Sequence, residues 1–130
     1  MLFRSTFVVV NLLSFVLHAP QVDTEVLCAS VSAYLLLGVT WTMAYWLVAL
    51  ITPDAFAFST TTGAKESMQG FNAVYFSLVT LSTVGYGDIT PVSKVARMLA
   101  ALEAMTGLLY VAVLIARLVS LYSSPKSRES

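Results

Sequence analysis

Thr80-Leu81-Ser82-Thr83-Val84-Gly85-Tyr86-Gly87-Asp88 is the stretch on which the fold of this chain turns. Glycine takes positive φ without steric cost, so Gly85 and Gly87 let the backbone leave both helix and strand and turn successive carbonyls to one side. Val84 and Tyr86 then direct their side chains the other way, into protein. A run of carbonyls without helix or sheet partners is costly in apolar surroundings, so it must line water or meet cations. A single strand offers one carbonyl per level, and a cage around an ion therefore needs several chains to converge.

The surroundings are apolar. Of 130 residues, 58% are hydrophobic and 11% charged, a balance that places the chain in a bilayer. A hydrocarbon core of about 30 Å needs roughly 20 apolar helical residues to cross it. Residues 26–51 carry no charge, and residues 95–122 carry only Arg97, Glu103 and Arg117, so both stretches read as spans. Between them, residues 71–82 are apolar and free of Gly and Pro, too short to cross, and bounded by Gly70, which suits a half-spanning helix. Pro91 marks a break before the second span.

The fold class expected is an all-α membrane protein. Two transmembrane helices flank a re-entrant pore helix and an extended segment, in one domain without internal repeats. The boundaries read as 24–51 for the outer helix, 52–69 for an exposed extracellular loop, 70–82 for the pore helix, 83–87 for the extended segment and 94–122 for the inner helix. Together these form a unit over 24–122, preceded by 1–20 and followed by a cytoplasmic tail over 123–130.

Thr83-Val84-Gly85-Tyr86-Gly87, placed between a half-helix and a second span, resembles the selectivity filter of the potassium channel pore-domain family, in its bacterial two-span form. The stretches 34–38 and 102–119 are also similar to bacterial ion-channel pore domains. The resemblance implies a homotetramer that conducts K+ passively. Rings of carbonyls from Thr83, Val84, Gly85 and Tyr86 would bind the ion, the Thr83 hydroxyl would complete the inner site, and Gly85 and Gly87 would set the geometry. It also implies no cofactor beyond the permeant K+ and no catalytic set, hence no enzyme. The alternatives are a potassium-transport subunit or a non-conducting regulatory membrane subunit. Two departures from the best-known two-span channels stand out, Phe76 in place of a tryptophan and Val79 in place of a glutamate.

Three further residues read as filter support. In similar channels the aspartate after the filter bonds an aromatic residue of the pore helix; Asp88 and Tyr75 occupy those places, with attraction of cations the alternative role for Asp88. Glu103, a carboxyl group inside a membrane helix, is costly enough to suggest function. It is expected to bond hydroxyls of the pore helix such as Thr80 or Ser82, in neutral form, the alternative being a structural pairing with a neighbouring helix. Gly107 lies where many family members place a hinge, and it reads equally as a close-packing site. Alignment by the filter puts Leu108, Val111 and Ile115 toward the cavity, with Ala116 and Val119 near the cytoplasmic narrowing.

The remaining features are plainer. Residues 2–17 place Arg4, Asn11, Ser14 and His18 on one face, an amphipathic helix in the membrane interface or else the end of a truncated membrane helix. Cys28, the one cysteine, reads as a small buried apolar residue, which leaves no disulfide and no thiolate metal cluster within a chain. Thr24 or Asp23 can cap the first span. A net charge of zero gives no reason to expect a nucleic-acid partner; the partners expected are further copies of the chain, membrane lipid and K+. Arg117, Lys126 and Arg128 put the C-terminus in the cytoplasm of a multi-pass cell-membrane protein, bacterial by resemblance.

Overall fold

The computed structural model describes residues 24–59 and 67–123, with positions 7, 8, 10, 11 and 14 near the start. Those five positions are helical, and Asn11 Nδ2 donates to the Phe7 carbonyl at 2.8 Å. The rest of the N-terminal reading, including His18 and the Asp23 cap, lies outside the described residues. So do Lys65 and Glu66 of the loop and the tail with Lys126 and Arg128.

Helix α1 runs Thr24–Ile51, strand β1 Phe56–Phe58, helix α2 Phe71–Leu81, strand β2 Ile89–Pro91 and helix α3 Lys94–Tyr122. α1 and α3 contain the two segments long and apolar enough to cross a bilayer, Glu25–Ile51 and Lys94–Ser120. At 1.5 Å per residue the 11 residues of α2 cover about 16 Å, roughly half a hydrocarbon core.

Lipid offers no hydrogen bonds, and α1 resolves its own polar groups. Ser30, Ser32, Thr40 and Thr42 each donate to the carbonyl four residues back, at 2.7 to 2.9 Å. Leu27, Val31, Leu35, Val39, Met43 and Leu47 recur every fourth residue and stay exposed, forming one apolar stripe along the helix. Cys28 lies beside this stripe and is exposed, which corrects the expectation that it is buried. A sequence that is apolar on every face does not tell which face meets protein.

The loop reading also needs correction. Ala55, Phe56 and Met68 are buried, and β1 pairs antiparallel with β2, Phe56 opposite Pro91 and Phe58 opposite Ile89. Val92 N donates to the Ala55 carbonyl at 2.7 Å, and Ser59 N to the Asp88 carbonyl at 2.8 Å. The end of α1 is thereby strapped to the chain leaving residues 83–87. Three-residue strands on either side of a helix leave no periodic signal, and their partners are set only by the tertiary fold.

The core sits behind α2, where α1 ends and α3 begins. Tyr45, Phe56 and Phe76 meet edge to face with ring centroids 4.9 to 5.8 Å apart, and Ala55, Met68, Ala73, Ile89 and Ala96 close around them. Helix α3 starts at a proper cap, Ser93 Oγ accepting from Ala96 N at 3.1 Å. Arg97 Nε donates to the Pro91 carbonyl, so the outer charge of α3 is used to hold β2.

Candidate functional site

Residues 83–87 leave the C-terminus of α2 in an unusual backbone. φ is +58° at Thr83, +54° at Gly85 and +78° at Gly87, while Val84 and Tyr86 keep ordinary negative values. Positive φ at alternate residues allows successive peptide planes to turn the same way, the condition under which carbonyls along such a segment can come to one side. The first three amides turn back to α2: Val84 N and Gly85 N both donate to the Val79 carbonyl, at 3.0 and 3.3 Å, and Thr83 N to the Thr80 carbonyl at 2.9 Å. The segment is exposed throughout and follows the negative end of the α2 dipole. Such a surface is suited to cations.

The side chains of the segment differ from expectation. Val84 is 53% and Tyr86 71% exposed, so within one chain they do not enter a protein interior. Tyr86 has a single stacking partner, Tyr75, at 6.5 Å and nearly parallel, and Tyr75 stacks in turn on Phe71 at 6.0 Å.

Asp88 sits at the end of the segment, its Oδ1 accepting from Ile89 N at 3.0 Å. Its carboxylate also faces Tyr75, whose phenol is raised above its ordinary value of 10, first by hydrogen bonding to Asp88 and then by burial. The pair brings α2 beside the chain that leaves residue 87. Tyr75→Phe, which keeps the ring stack and removes the hydroxyl, is expected to speed loss of current severalfold in single-channel recordings; unaltered open lifetimes would show that the bond braces nothing.

Glu103 is fully buried, and its partners are not Thr80 or Ser82. Ser82 Oγ bonds the Leu78 carbonyl at the end of α2. Glu103 instead contacts Ser77 of α2 through Oε1 and Tyr45 of α1 through Oε2, both at 2.5 Å. Both sequence readings are therefore present in part, since one oxygen reaches the pore helix and the other a neighbouring span. Ser77 and Tyr45 escaped the sequence reading because a serine in a short helix and a tyrosine in a long one carry no mark of facing a carboxyl.

Gly107 is buried against Leu81, the last residue of α2: a Cβ there would lie 1.9 Å from the Leu81 carbonyl oxygen. The same oxygen accepts from Tyr34 at 3.1 Å, and Tyr110 reaches the Ser30 carbonyl at 2.6 Å. Leu108, Val111, Ile115, Ala116 and Val119 are all exposed along α3.

Two long apolar helices flank a half-length helix, which is followed by a segment with positive φ at alternate residues. Residues 24–124 match the ion channel family, and the chain belongs to it. It is similar to the voltage-gated potassium channel Kch of Escherichia coli strain K12, 45% identical over 60 residues, 40% of this chain and 14% of that protein. Two pore potassium channel c of Oryza sativa subsp. japonica is 35% identical over 88 residues, 68% of this chain and 17% of that one. The calcium-gated potassium channel TvoK of Thermoplasma volcanium is 38% identical over 68 residues, 51% and 19%. This chain spans less than a fifth of the length of each.

Proposed function

We propose that the chain is one of four identical subunits of a potassium-selective channel, with the carbonyls of Thr83, Val84, Gly85 and Tyr86 as successive ion-binding rings. The alternating φ at Thr83, Gly85 and Gly87 carries this reading, because it gives carbonyls that can replace the water around a cation. The exposure of Val84 and Tyr86, and of α3 residues Leu108, Val111 and Ile115, supports assembly around an axis. In water or lipid a lone chain would leave the carbonyls and the Tyr86 ring without partners. Four copies closed by rotation give both a ring of oxygens and a cover for the rings.

Conduction is passive, with no cofactor beyond the permeant ion and no catalytic step. The relatives named as potassium channels favour K+ over other cations as that ion. The protein acts in a cell membrane with the C-terminal end of α3 toward the cytoplasm. The negative end of the α2 dipole steadies a cation entering the filter, and Asp88 with Tyr75 holds the outer end in place.

Purified protein reconstituted in vesicles tests this directly. Rubidium tracer should enter down a potassium gradient and sodium should fail to carry comparable current, with chemical cross-linking running to a four-subunit species. Vesicles impermeable to rubidium, sodium current equal to that of potassium, or cross-linking that stops at monomers would overturn the reading.

A further inference from the structure

Ser77 Oγ lies 2.7 Å from the Gly38 carbonyl oxygen and 2.5 Å from Glu103 Oε1. A serine hydroxyl has one proton to give. The Gly38 oxygen has none, and it already accepts from Thr42 Oγ1 at 2.9 Å. An ionised carboxylate has none either. If both groups facing Ser77 lack protons, one of the two contacts is a pair of oxygens with nothing between them, which is repulsive at such a distance.

One arrangement makes both contacts hydrogen bonds: Ser77 donates to Gly38, and Oε1 of Glu103 donates to Ser77. Oε2 is then the carbonyl oxygen of a neutral acid and accepts the Tyr45 hydroxyl, as the structure has it. The surroundings agree. Glu103 is fully buried in the middle of a bilayer span, and the two polar contacts of its carboxyl are hydroxyls, with no lysine or arginine among the described residues touching it. An ionised carboxylate held by two neutral hydroxyls inside a membrane is strongly disfavoured, whereas a neutral acid is not.

We propose that Glu103 is held as a neutral carboxylic acid whose Oε1 proton is donated to Ser77, making Glu103, Ser77 and Tyr45 positioning residues that fasten the inner helix to the pore helix and the outer helix. Its bearing on conduction rests on the channel reading above; the protonation itself does not. The chain of bonds runs Tyr45 to Glu103 to Ser77 to Gly38 with every donor used once, and it ties α1, α2 and α3 at one level behind the filter. No charge is stored in it, so the filter feels a fixed scaffold and not a buried anion that would trap cations.

Glutamine reproduces this pattern, since its amide nitrogen donates to Ser77 and its oxygen accepts from Tyr45. The test is infrared difference spectroscopy on the full chain reconstituted in lipid vesicles at neutral pH, wild type against Glu103→Gln, with rubidium flux measured on the same vesicles. The expected result is the loss of a carboxylic-acid carbonyl band and flux within about twofold of wild type, while Glu103→Ala and Ser77→Ala fall by about tenfold or more. In Ser77→Ala the acid band persists at higher frequency because its proton has lost its acceptor. Loss of carboxylate bands in place of the acid band would overturn the protonation, and Glu103→Gln as impaired as Glu103→Ala would overturn the positioning role. Failure of the channel reading is distinguishable, because it silences flux in the wild type and leaves the infrared result intact.

Discussion

Gly107→Ala is expected to prevent stable assembly and abolish conduction. The added methyl carbon would stand 1.9 Å from the Leu81 carbonyl oxygen and 2.9 Å from its carbon, both backbone atoms that cannot swing aside. Reaching an ordinary contact of 3.4 Å means moving α3 or the end of α2 by roughly 1.5 Å, and overpacking of this kind costs about 1–3 kcal/mol or more for each chain. Only Ser82 separates Leu81 from the segment 83–87, and Tyr34 holds the same oxygen, so the movement passes toward that segment. Gly38→Ala makes the contrast. There the nearest atom is the flexible end of Leu78 at 2.8 Å, which can turn away at a cost below about 1 kcal/mol.

The hinge reading of Gly107 predicts the opposite sign. Alanine in a helix is favoured over glycine by about 1 kcal/mol, so a residue present only for bending should give a protein that is stabler and opens poorly. Thermal unfolding of the oligomer in detergent, followed by size-exclusion fluorescence, separates the two. A lowered midpoint with dispersed oligomer is expected. A raised midpoint with intact oligomer and altered opening would show that bending outweighs the contact with Leu81.

The large elements were legible because each left a signal that does not depend on its neighbours. The 28 residues of α1 and 29 of α3 declare themselves by length and lack of charge, and Gly70 with the glycines after Ser82 brackets α2. The positive φ at Gly85 and Gly87 was legible for the same reason, since glycine is the residue that takes it without steric cost. Thr83 at +58° was not, because a β-branched residue is the last expected there, and only its neighbours' geometry forces it. Side-chain meetings across helices were hidden throughout. Glu103 advertises that it needs partners, yet helix rotation decides whether they are Thr80 and Ser82 or Ser77 and Tyr45. Gly107 advertises a small residue, and only the position of Leu81 shows why. The exposed faces of α1 and α3 are equally apolar, so sequence cannot separate the face that meets lipid from the one that meets another copy.

Along α3, Glu103, Gly107 and Tyr110 fix the first half to α1 and α2, and further on Leu114 packs with Val26 and Ala29. Past Tyr110, Val111, Ile115 and Val119 are exposed apolar residues, and in the proposed pore a ring of such side chains is able to close the path by dewetting.

Gly85→Ala is expected to remove discrimination between potassium and sodium while leaving the helices folded. Space is not the obstacle, since a Cβ at this position meets nothing within 4 Å in the single chain. The cost lies in the backbone. φ is +54°, a left-handed conformation in which an L side chain crowds the following carbonyl by roughly 1–2 kcal/mol. In the proposed pore of four subunits the penalty falls on every copy, so about 4–8 kcal/mol opposes the proposed ring of carbonyls at that level. That exceeds what a single ion site returns, and the segment relieves the strain by rotating the peptide that carries the Gly85 carbonyl. The alternation of signs along 83–87 then fails at its centre, and the neighbouring carbonyls lose their common side. The core around Tyr45, Phe56 and Phe76 does not touch this residue, so helical content and melting of the spans should match the parent protein. Bi-ionic reversal potentials in planar bilayers provide the measurement: the shift between potassium and sodium should collapse toward zero. A variant that kept the full reversal shift would mean that the left-handed backbone at Gly85 is not what arranges the ion-binding oxygens.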